Sequence, residues 1–161
     1  MPTMTDYRVV VVGTDGSDLA PATVARAAWL ARHEDADLVI LCAYSALSRR
    51  HEAKNVATIG GDTRLSEVLG RAAASEAITD AVAVASKEGA TVAAALLVEA
   101  DAAAALIETA HDRAAELLVI GARYDRTLSE RLLGSVATEV VKRASCDVLI
   151  VRPQGDDGGV A

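Results

Sequence analysis

One stretch of the sequence combines residue types that bind anions. The apolar run 117–120 ends at Gly121, and after a charged segment the chain continues as Gly134-Ser135. The run is typical of a buried parallel strand, and the residues from Ser135 onward predict a helix. Helix N-termini present free N–H groups, glycine admits a phosphate close to the backbone, and serine adds a hydroxyl donor. The stretch predicts a site for nucleotide phosphates; the alternative is an ordinary strand-to-helix connection in which Gly-Ser only caps the helix.

The sequence contains no motif that assembles a nucleophile with its base. It has no Gly-x-Ser-x-Gly elbow, no Walker lysine motif and no Cys-His pairing. The histidines at 33, 51 and 111 share no ligand spacing, so we interpret each as a surface or helix-end residue. Cys42 and Cys146 have no metal-like spacing, and the apolar surroundings of Cys42 indicate a buried reduced thiol. These observations favour binding over strong catalysis.

The composition restricts the classes of partner. A chain of 161 residues suits one domain, and no apolar run reaches the length of a membrane span. The first six residues lack a signal-peptide pattern, so we expect a cytoplasmic protein. A net charge of −7 and a pI near 4.9 argue against nucleic-acid binding, which needs a basic face. Aromatic residues make up only 2%, which excludes a base-stacking platform.

Apolar runs of strand length alternate along the chain with alanine-rich helical patterns. We predict strands at 7–12, 38–43, 91–98, 117–122 and 148–151, and helices at 19–33, 66–87, 101–115 and 135–144. We predict a flexible N-terminus at 1–6, a mobile connection at 45–62 and a disordered acidic tail at 154–161. This alternation predicts an α/β fold, with one domain over residues 7–153 built on a doubly wound, five-stranded parallel sheet.

Three residues of this predicted fold lie at or just after the carboxyl end of a strand, so they are on the same side of the sheet. Asp15 follows the first strand, Ala43 ends the second and Gly121 follows the fourth. Doubly wound sheets bind ligands beyond the carboxyl ends of their strands, where the strand order reverses. If the first and fourth strands are neighbours, the three residues line one crevice.

Two motifs give the chain a resemblance to a known family. Residues 11–17 resemble the opening of universal stress proteins. Members that bind ATP carry Gly-x2-Gly-x9-Gly-[Ser/Thr], and Gly121, Tyr124, Gly134 and Ser135 stand at those four positions with that spacing. The resemblance covers about residues 7–153 and is closest to actinobacterial members. It implies the strand order 3-2-1-4-5 in a Rossmann-type sandwich similar to flavodoxins and adenine nucleotide alpha hydrolases.

The resemblance implies contacts to adenosine from the first two strands. Asp15, with Gly13 and Thr14 beside it, would contact the adenosine part of the ligand. Ala43 would supply backbone contacts to the adenine. The ligand implied is ATP or cyclic AMP, with Mg²⁺ as a candidate companion of ATP.

The resemblance implies contacts to ribose and phosphates from the later motif. Gly121, Gly134 and Ser135 would hold these groups through backbone amides and the serine hydroxyl, and Val136 continues the same helix turn. Arg123 follows the end of the strand directly and is the candidate arginine for a phosphate contact.

Three positions depart from the pattern of the family. Tyr124 stands where the motif has its second glycine, and its side chain would enter the phosphate space. Cyclic AMP, with its shorter phosphate group, would fit beside Tyr124 better than a triphosphate. Ala100 and Ala102 stand where many members have Gly and Pro, and Asp147 replaces the Pro that often precedes the last strand.

We predict a nucleotide-binding stress protein with a stress-response or signalling role. One alternative is a family member that binds no nucleotide and acts as a dimeric interaction module; another is a slow ATP hydrolase. The apolar fifth strand would lie at the sheet edge, where it would pair with another chain. Universal stress proteins commonly dimerise through this strand, so we predict a homodimer through Val148, Leu149, Ile150 and Val151.

Overall fold

The computed structural model describes residues 6–46, 68–122 and 134–152. Within these ranges the elements are β1 (Val9–Gly13), α1 (Ala20–Glu34), β2 (Asp37–Ser45), β3 (Val68–Leu69), α2 (Arg71–Lys87), β4 (Thr91–Glu99), α3 (Ala102–Asp112), β5 (Leu117–Gly121), α4 (Ser135–Arg143) and β6 (Asp147–Val151). Each strand and helix expected from the sequence is present. The predicted acidic tail, the N-terminus up to residue 5 and most of the predicted mobile connection lie outside the described residues.

The sheet is parallel in every strand pair that the structure describes. β1 lies at its centre and pairs with β2 on one side and with β5 on the other. The five long strands follow the order β4-β2-β1-β5-β6, which matches the predicted order 3-2-1-4-5, but β3 also pairs with β2, so the sheet has six strands rather than the five predicted. Because the chain moves outward from β1 in both directions, the strand order reverses between β1 and β5.

A sixth, short strand corrects two of the predicted boundaries. β3 pairs with Tyr44 and Ser45, so Ser45 belongs to β2 and not to the predicted mobile connection. The predicted helix start at residue 66 is also wrong, because Gly70 adopts a φ of 88° and α2 begins only after it. The pairing of β3 with β2 depends on residues far apart in the sequence, and the helical pattern around residue 66 does not reveal it.

Helices cover both faces of the sheet. α1 and α2 pack against the face that carries Val10 and Val12, whereas α3 and α4 pack against the face that carries Val11 and Leu118. This division follows from the alternation of side chains along each strand. Because both faces are buried, the strands read in the sequence as continuous apolar runs.

Side chains close the amino-terminal end of the sheet. The Glu116 carboxylate accepts the backbone N–H groups of Arg8 at 3.0 Å and of Val9 at 2.8 Å. The Tyr7 hydroxyl donates to the Asp147 carboxylate at 2.9 Å. Burial raises the pKa of Glu116, but the hydrogen bonds from Val9 and Arg8 outweigh it, so the pKa lies below its ordinary value. These contacts join the starts of β1, β5 and β6.

None of the helices in the described ranges has the length and apolar character needed to cross a membrane.

Candidate functional site

A cavity lies at the carboxyl ends of the strands, at the point where the strand order reverses. Its walls are the ends of β1, β2 and β5 and the first turns of α1, α3 and α4. Eight of the ten predicted site residues line it: Gly13, Thr14, Asp15, Ala43, Gly121, Gly134, Ser135 and Val136. The other two, Arg123 and Tyr124, lie outside the described residues. The structure thus brings together two motifs that are far apart in the sequence.

The loop after β1 holds Asp15 in a fixed orientation. The Thr14 N–H donates to the Leu41 carbonyl at 2.9 Å, which ties the loop to β2. The Asp15 carboxylate accepts the Ser17 N–H at 2.8 Å. Gly16 between them has a φ of 72°, a conformation that glycine adopts without strain. The half-buried Asp15 therefore borders the cavity with its carboxylate held by its own loop.

The two helices that begin at the cavity on the α3/α4 face differ at their N-termini. The α3 helix is capped by Asp101, whose carboxylate accepts the Ala104 N–H at 3.1 Å. At the cap position of α4 stands Gly134, and no side-chain cap hydrogen bond occurs there among the described residues. Ser135 is the first residue of the helix rather than its cap. The alternative in which Gly-Ser only caps the helix therefore has no side-chain hydrogen bond to support it.

The three predicted glycines of the cavity have different surroundings. A Cβ added at Gly121 would lie 2.7 Å from the Thr23 Oγ1, and one at Gly13 would lie 3.0 Å from the Leu106 Cδ2. A Cβ added at Gly134 would meet no heavy atom within 4 Å in the part of the chain that the structure describes. Glycine at 121 thus meets a packing requirement of the protein, because a Cβ there would lie too close to Thr23, whereas no described atom restricts the space at Gly134.

The sequence analysis did not identify Thr23 as a site residue. Thr23 lines the cavity, is only 3% exposed, and its hydroxyl donates to the Leu19 carbonyl at 3.0 Å. The residue belongs to no motif. Only its spacing could have indicated its burial: Thr23, Ala27 and Ala31 follow one another at intervals of four residues. Thr23 therefore extends the buried stripe of α1 towards the cavity.

Asp15 is the one ionisable side chain among the cavity-lining residues that the structure describes. The nearby Cys42 is fully buried. Its burial, and secondarily the charge of Asp15, raise the pKa of the Cys42 thiol to about 11. The thiol is therefore protonated at neutral pH, in agreement with the interpretation of Cys42 as a buried reduced residue. The described residues contain no group of three or more His, Cys, Asp or Glu side chains placed to hold a metal ion.

The fold is that of a doubly wound α/β protein, and its cavity lies at the switch point of the sheet, where such folds bind ligands. The sequence model of the universal stress protein family matches residues 6–152. The chain belongs to this family, as its resemblance in sequence predicted.

Relatives in this family match nearly the whole chain. Universal stress protein Rv1636 of Mycobacterium tuberculosis (strain ATCC 25618 / H37Rv) is 40% identical over 148 residues, which cover 92% of this chain and 98% of the relative. A crystal structure of a universal stress protein in complex with cAMP superposes with a TM-score of 0.66 at 34% identity, covering 92% of this chain and 98% of that one. The universal stress protein of Archaeoglobus fulgidus in complex with dAMP has a TM-score of 0.63 at 22% identity, covering 91% and 98%, and supports the fold alone.

Proposed function

We propose that this protein binds an adenine nucleotide, cyclic AMP or ATP, in the cavity between β1 and β5, and that it serves a stress-response or signalling role without strong catalysis. The observation that carries the proposal is the convergence of eight predicted residues around one cavity. The 34% identical relative crystallised with cAMP supports the same class of ligand.

The first turn of α4 supplies the phosphate end of the proposed site. Its N–H groups carry the partial positive charge of the helix N-terminus, and this turn lines the cavity. No described atom lies within 4 Å of the position that a Cβ at Gly134 would occupy, which favours access of a phosphate to these groups. The hydroxyl of Ser135 adds a further donor.

The ends of β1 and β2 supply the adenosine end of the proposed site. The carboxylate of Asp15 accepts a hydrogen bond from a ribose hydroxyl, because its loop already holds it at the rim of the cavity. Ala43 offers main-chain groups to the edge of the adenine, and its small side chain leaves room for the ring. Mg²⁺, where ATP is the ligand, is held by the phosphates.

Calorimetric titration with cyclic AMP and with ATP in the presence of Mg²⁺ tests the proposal. We expect both nucleotides to bind. Mass spectrometry of small molecules released from the purified protein is the complementary measurement. A protein that carries no nucleotide and gives no heat with either ligand would contradict the proposal and favour the alternative of a dimeric interaction module.

Substitution of Tyr124 tests the choice between the two ligands. Tyr124→Gly should strengthen ATP binding more than cyclic AMP binding, because the family motif has glycine at this position and a ring there would crowd the terminal phosphates. Tyr124→Phe is the matched control: it keeps the ring and should leave the preference unchanged. Equal changes for both ligands in Tyr124→Gly would contradict this role of the ring.

A turnover assay separates binding from hydrolysis. We expect ATP to remain intact when it is incubated with stoichiometric protein, because Asp15 is the sole ionisable group among the described lining residues. Release of phosphate at a rate proportional to protein concentration would identify the second alternative, a slow ATP hydrolase.

We propose also that β6 forms the interface of a two-fold homodimer. The Asp147 N–H and the Val151 carbonyl bond towards β5. Because neighbouring residues of a strand direct their backbone groups to opposite sides, Val148 and Ile150 present theirs at the outer edge. No strand in the described ranges pairs with that edge.

Sedimentation of two variants tests the dimer. Val148→Pro removes an outward N–H while it spares the bonds to β5, so we expect a monomer. Val148→Ala keeps this N–H and should remain a dimer. A wild-type protein that sediments as a monomer at micromolar concentration contradicts the proposed interface.

A further inference from the structure

A close contact joins α1 to the end of β5 at the wall of the cavity. The Thr23 Oγ1 lies 2.7 Å from the position that a Cβ at Gly121 would occupy. Thr23 Cβ and Cγ2 also lie within 4 Å of that position. Real Cβ atoms do not approach other atoms this closely. Any side chain at 121 therefore requires either Thr23 or the end of β5 to move.

Two properties of Thr23 prevent it from giving way. Its hydroxyl is bonded to the Leu19 carbonyl at 3.0 Å, and threonine has few rotamers within a helix. The side chain is also buried, with 3% of its surface exposed. Gly13 provides the contrast: its would-be Cβ lies 3.0 and 3.3 Å from the two terminal carbons of Leu106, distances that a small shift of this side chain relieves.

We propose that Thr23 is a positioning residue of the nucleotide site: its hydroxyl oxygen, rather than the bound ligand, requires glycine at position 121. This inference rests on the proposed function. By occupying the space beside Gly121, Thr23 fixes the distance between α1 and β5. It thereby sets the direction in which the chain leaves the strand at the edge of the cavity.

The proposal divides the motif glycines into two kinds. Gly121 admits a helix side chain of the protein itself, and Gly134, with its open surroundings among the described residues, admits the ligand. The competing explanation is that a Cβ at 121 would collide with the nucleotide directly. The two explanations differ in one respect: only the first allows a change at position 23 to rescue a substitution at position 121.

A double-mutant cycle with cyclic AMP as the probe makes this distinction. We expect Gly121→Ala to weaken cyclic AMP binding by about tenfold or more, because overpacking at this contact displaces the end of β5. Thr23→Ala alone should weaken binding by about threefold to fivefold, because α1 and β5 are no longer held apart at this contact, and the double variant should bind within about threefold of Thr23→Ala and more tightly than Gly121→Ala. Thr23→Val is the matched control, since it keeps an atom in place of Oγ1 and should rescue nothing.

The melting temperature of the ligand-free variants gives a second, independent measurement. Gly121→Ala should lower it, and addition of Thr23→Ala should remove most of that loss. A double variant that binds and melts as poorly as Gly121→Ala would overturn the inference. A wild type that binds no nucleotide would overturn the proposed function, and the melting temperatures would still decide whether Thr23 requires glycine at 121.

Discussion

The two ends of the sheet differ in whether side chains of the protein hydrogen-bond to the backbone there. At the amino ends of the strands, the Glu116 carboxylate accepts two N–H groups of β1, and the hydroxyl of Tyr7 bonds to Asp147. At the carboxyl ends, the cavity is lined by glycines and by the first turn of α4, whose cap position is Gly134. One end is closed by the protein's own side chains, whereas at the other no side chain among the described residues caps α4.

The contrast also separates the two helices that begin beside each other at the cavity. Asp101 caps α3 with its carboxylate, in the way that Glu116 closes the opposite end of the sheet. The cap position of α4 has no side chain to do this. An anion bound at α4 would satisfy N–H groups that α3 satisfies internally. We call the cavity end of the sheet the open end and the amino-terminal end the closed end. Substitutions of single groups at each end test whether the open end serves binding and the closed end serves stability.

The largest effect is expected where the open end is filled. Gly134→Leu should weaken cyclic AMP binding by at least about 100-fold, because its side chain occupies the approach to the α4 amides. The melting temperature should change little, since Gly134 has an ordinary φ of −58° and open surroundings among the described residues. Calorimetry and thermal melts make the measurement, with Gly134→Ala as the milder control. Binding at wild-type strength in Gly134→Leu would show that the ligand does not approach there.

Removal of one donor at the open end should have a smaller effect. Ser135→Ala should weaken binding by roughly 1.5–3 kcal/mol, the contribution of a hydrogen bond to a charged group. Ser135→Thr keeps the hydroxyl and should bind within a few tenths of a kcal/mol of wild type. If calorimetry finds the two variants equally weak, the hydroxyl makes no contact with the phosphate.

Change of the closed end should alter stability and leave binding intact. Glu116→Gln should lower the free energy of unfolding by about 1 kcal/mol at neutral pH, because a neutral amide replaces the charged carboxylate that accepts the two backbone N–H groups. The effect is no larger because these hydrogen bonds are partly exposed to solvent. The folded-state pKa of Glu116 is lowered, so its contribution is present above the ordinary carboxyl pKa of about 4.3 and is lost as the pH falls through the folded value.

Chemical denaturation at several pH values measures the effect of Glu116→Gln. The difference from wild type should shrink in acid. Glu108→Gln removes the same charge from an exposed position of α3 and serves as the control. An equal loss of stability in the control would mean that net charge, rather than the bonds to β1, is responsible.

The smallest effect is expected for the bond between Tyr7 and Asp147. Tyr7→Phe should lower the free energy of unfolding by about 0.5–1 kcal/mol at neutral pH. The hydrogen bond to Asp147, followed by burial, raises the pKa of Tyr7. Its contribution is therefore present below the ordinary tyrosine pKa of about 10 and is lost as the pH rises through the folded value. Denaturation curves that differ equally at neutral and strongly alkaline pH would contradict this account.

Residues close together in the sequence explain what could be predicted. The strands were predictable because both faces of the sheet are buried, so each strand is a short apolar run. The switch point between β1 and β5 followed from the alternation of strands and helices together with the resemblance to the family. Gly134 and Ser135 stood out because glycine followed by a helical pattern is visible locally.

The features that the sequence did not predict, β3 and the contact of Thr23 with Gly121, depend on residues that are distant in the sequence. β3 exists because two residues pair with Tyr44 and Ser45, a contact that no local pattern encodes. The packing reason for glycine at 121 lies in Thr23, a residue of another helix that touches it only in the folded protein. The motif therefore singled out Gly121, which lines the cavity, but gave no sign of its contact with Thr23.

The central place of β1 also has a consequence during synthesis. β1 is made first, yet one of its two edges pairs with Leu117, Leu118 and Val119, which are translated much later. At ordinary translation rates, roughly 5–20 s pass between the synthesis of the four consecutive valines of β1 and the synthesis of β5, which pairs with this edge. An unpaired apolar strand edge is a template for association with other chains. A nascent chain still on the ribosome therefore exposes this strand edge until β5 has been synthesised.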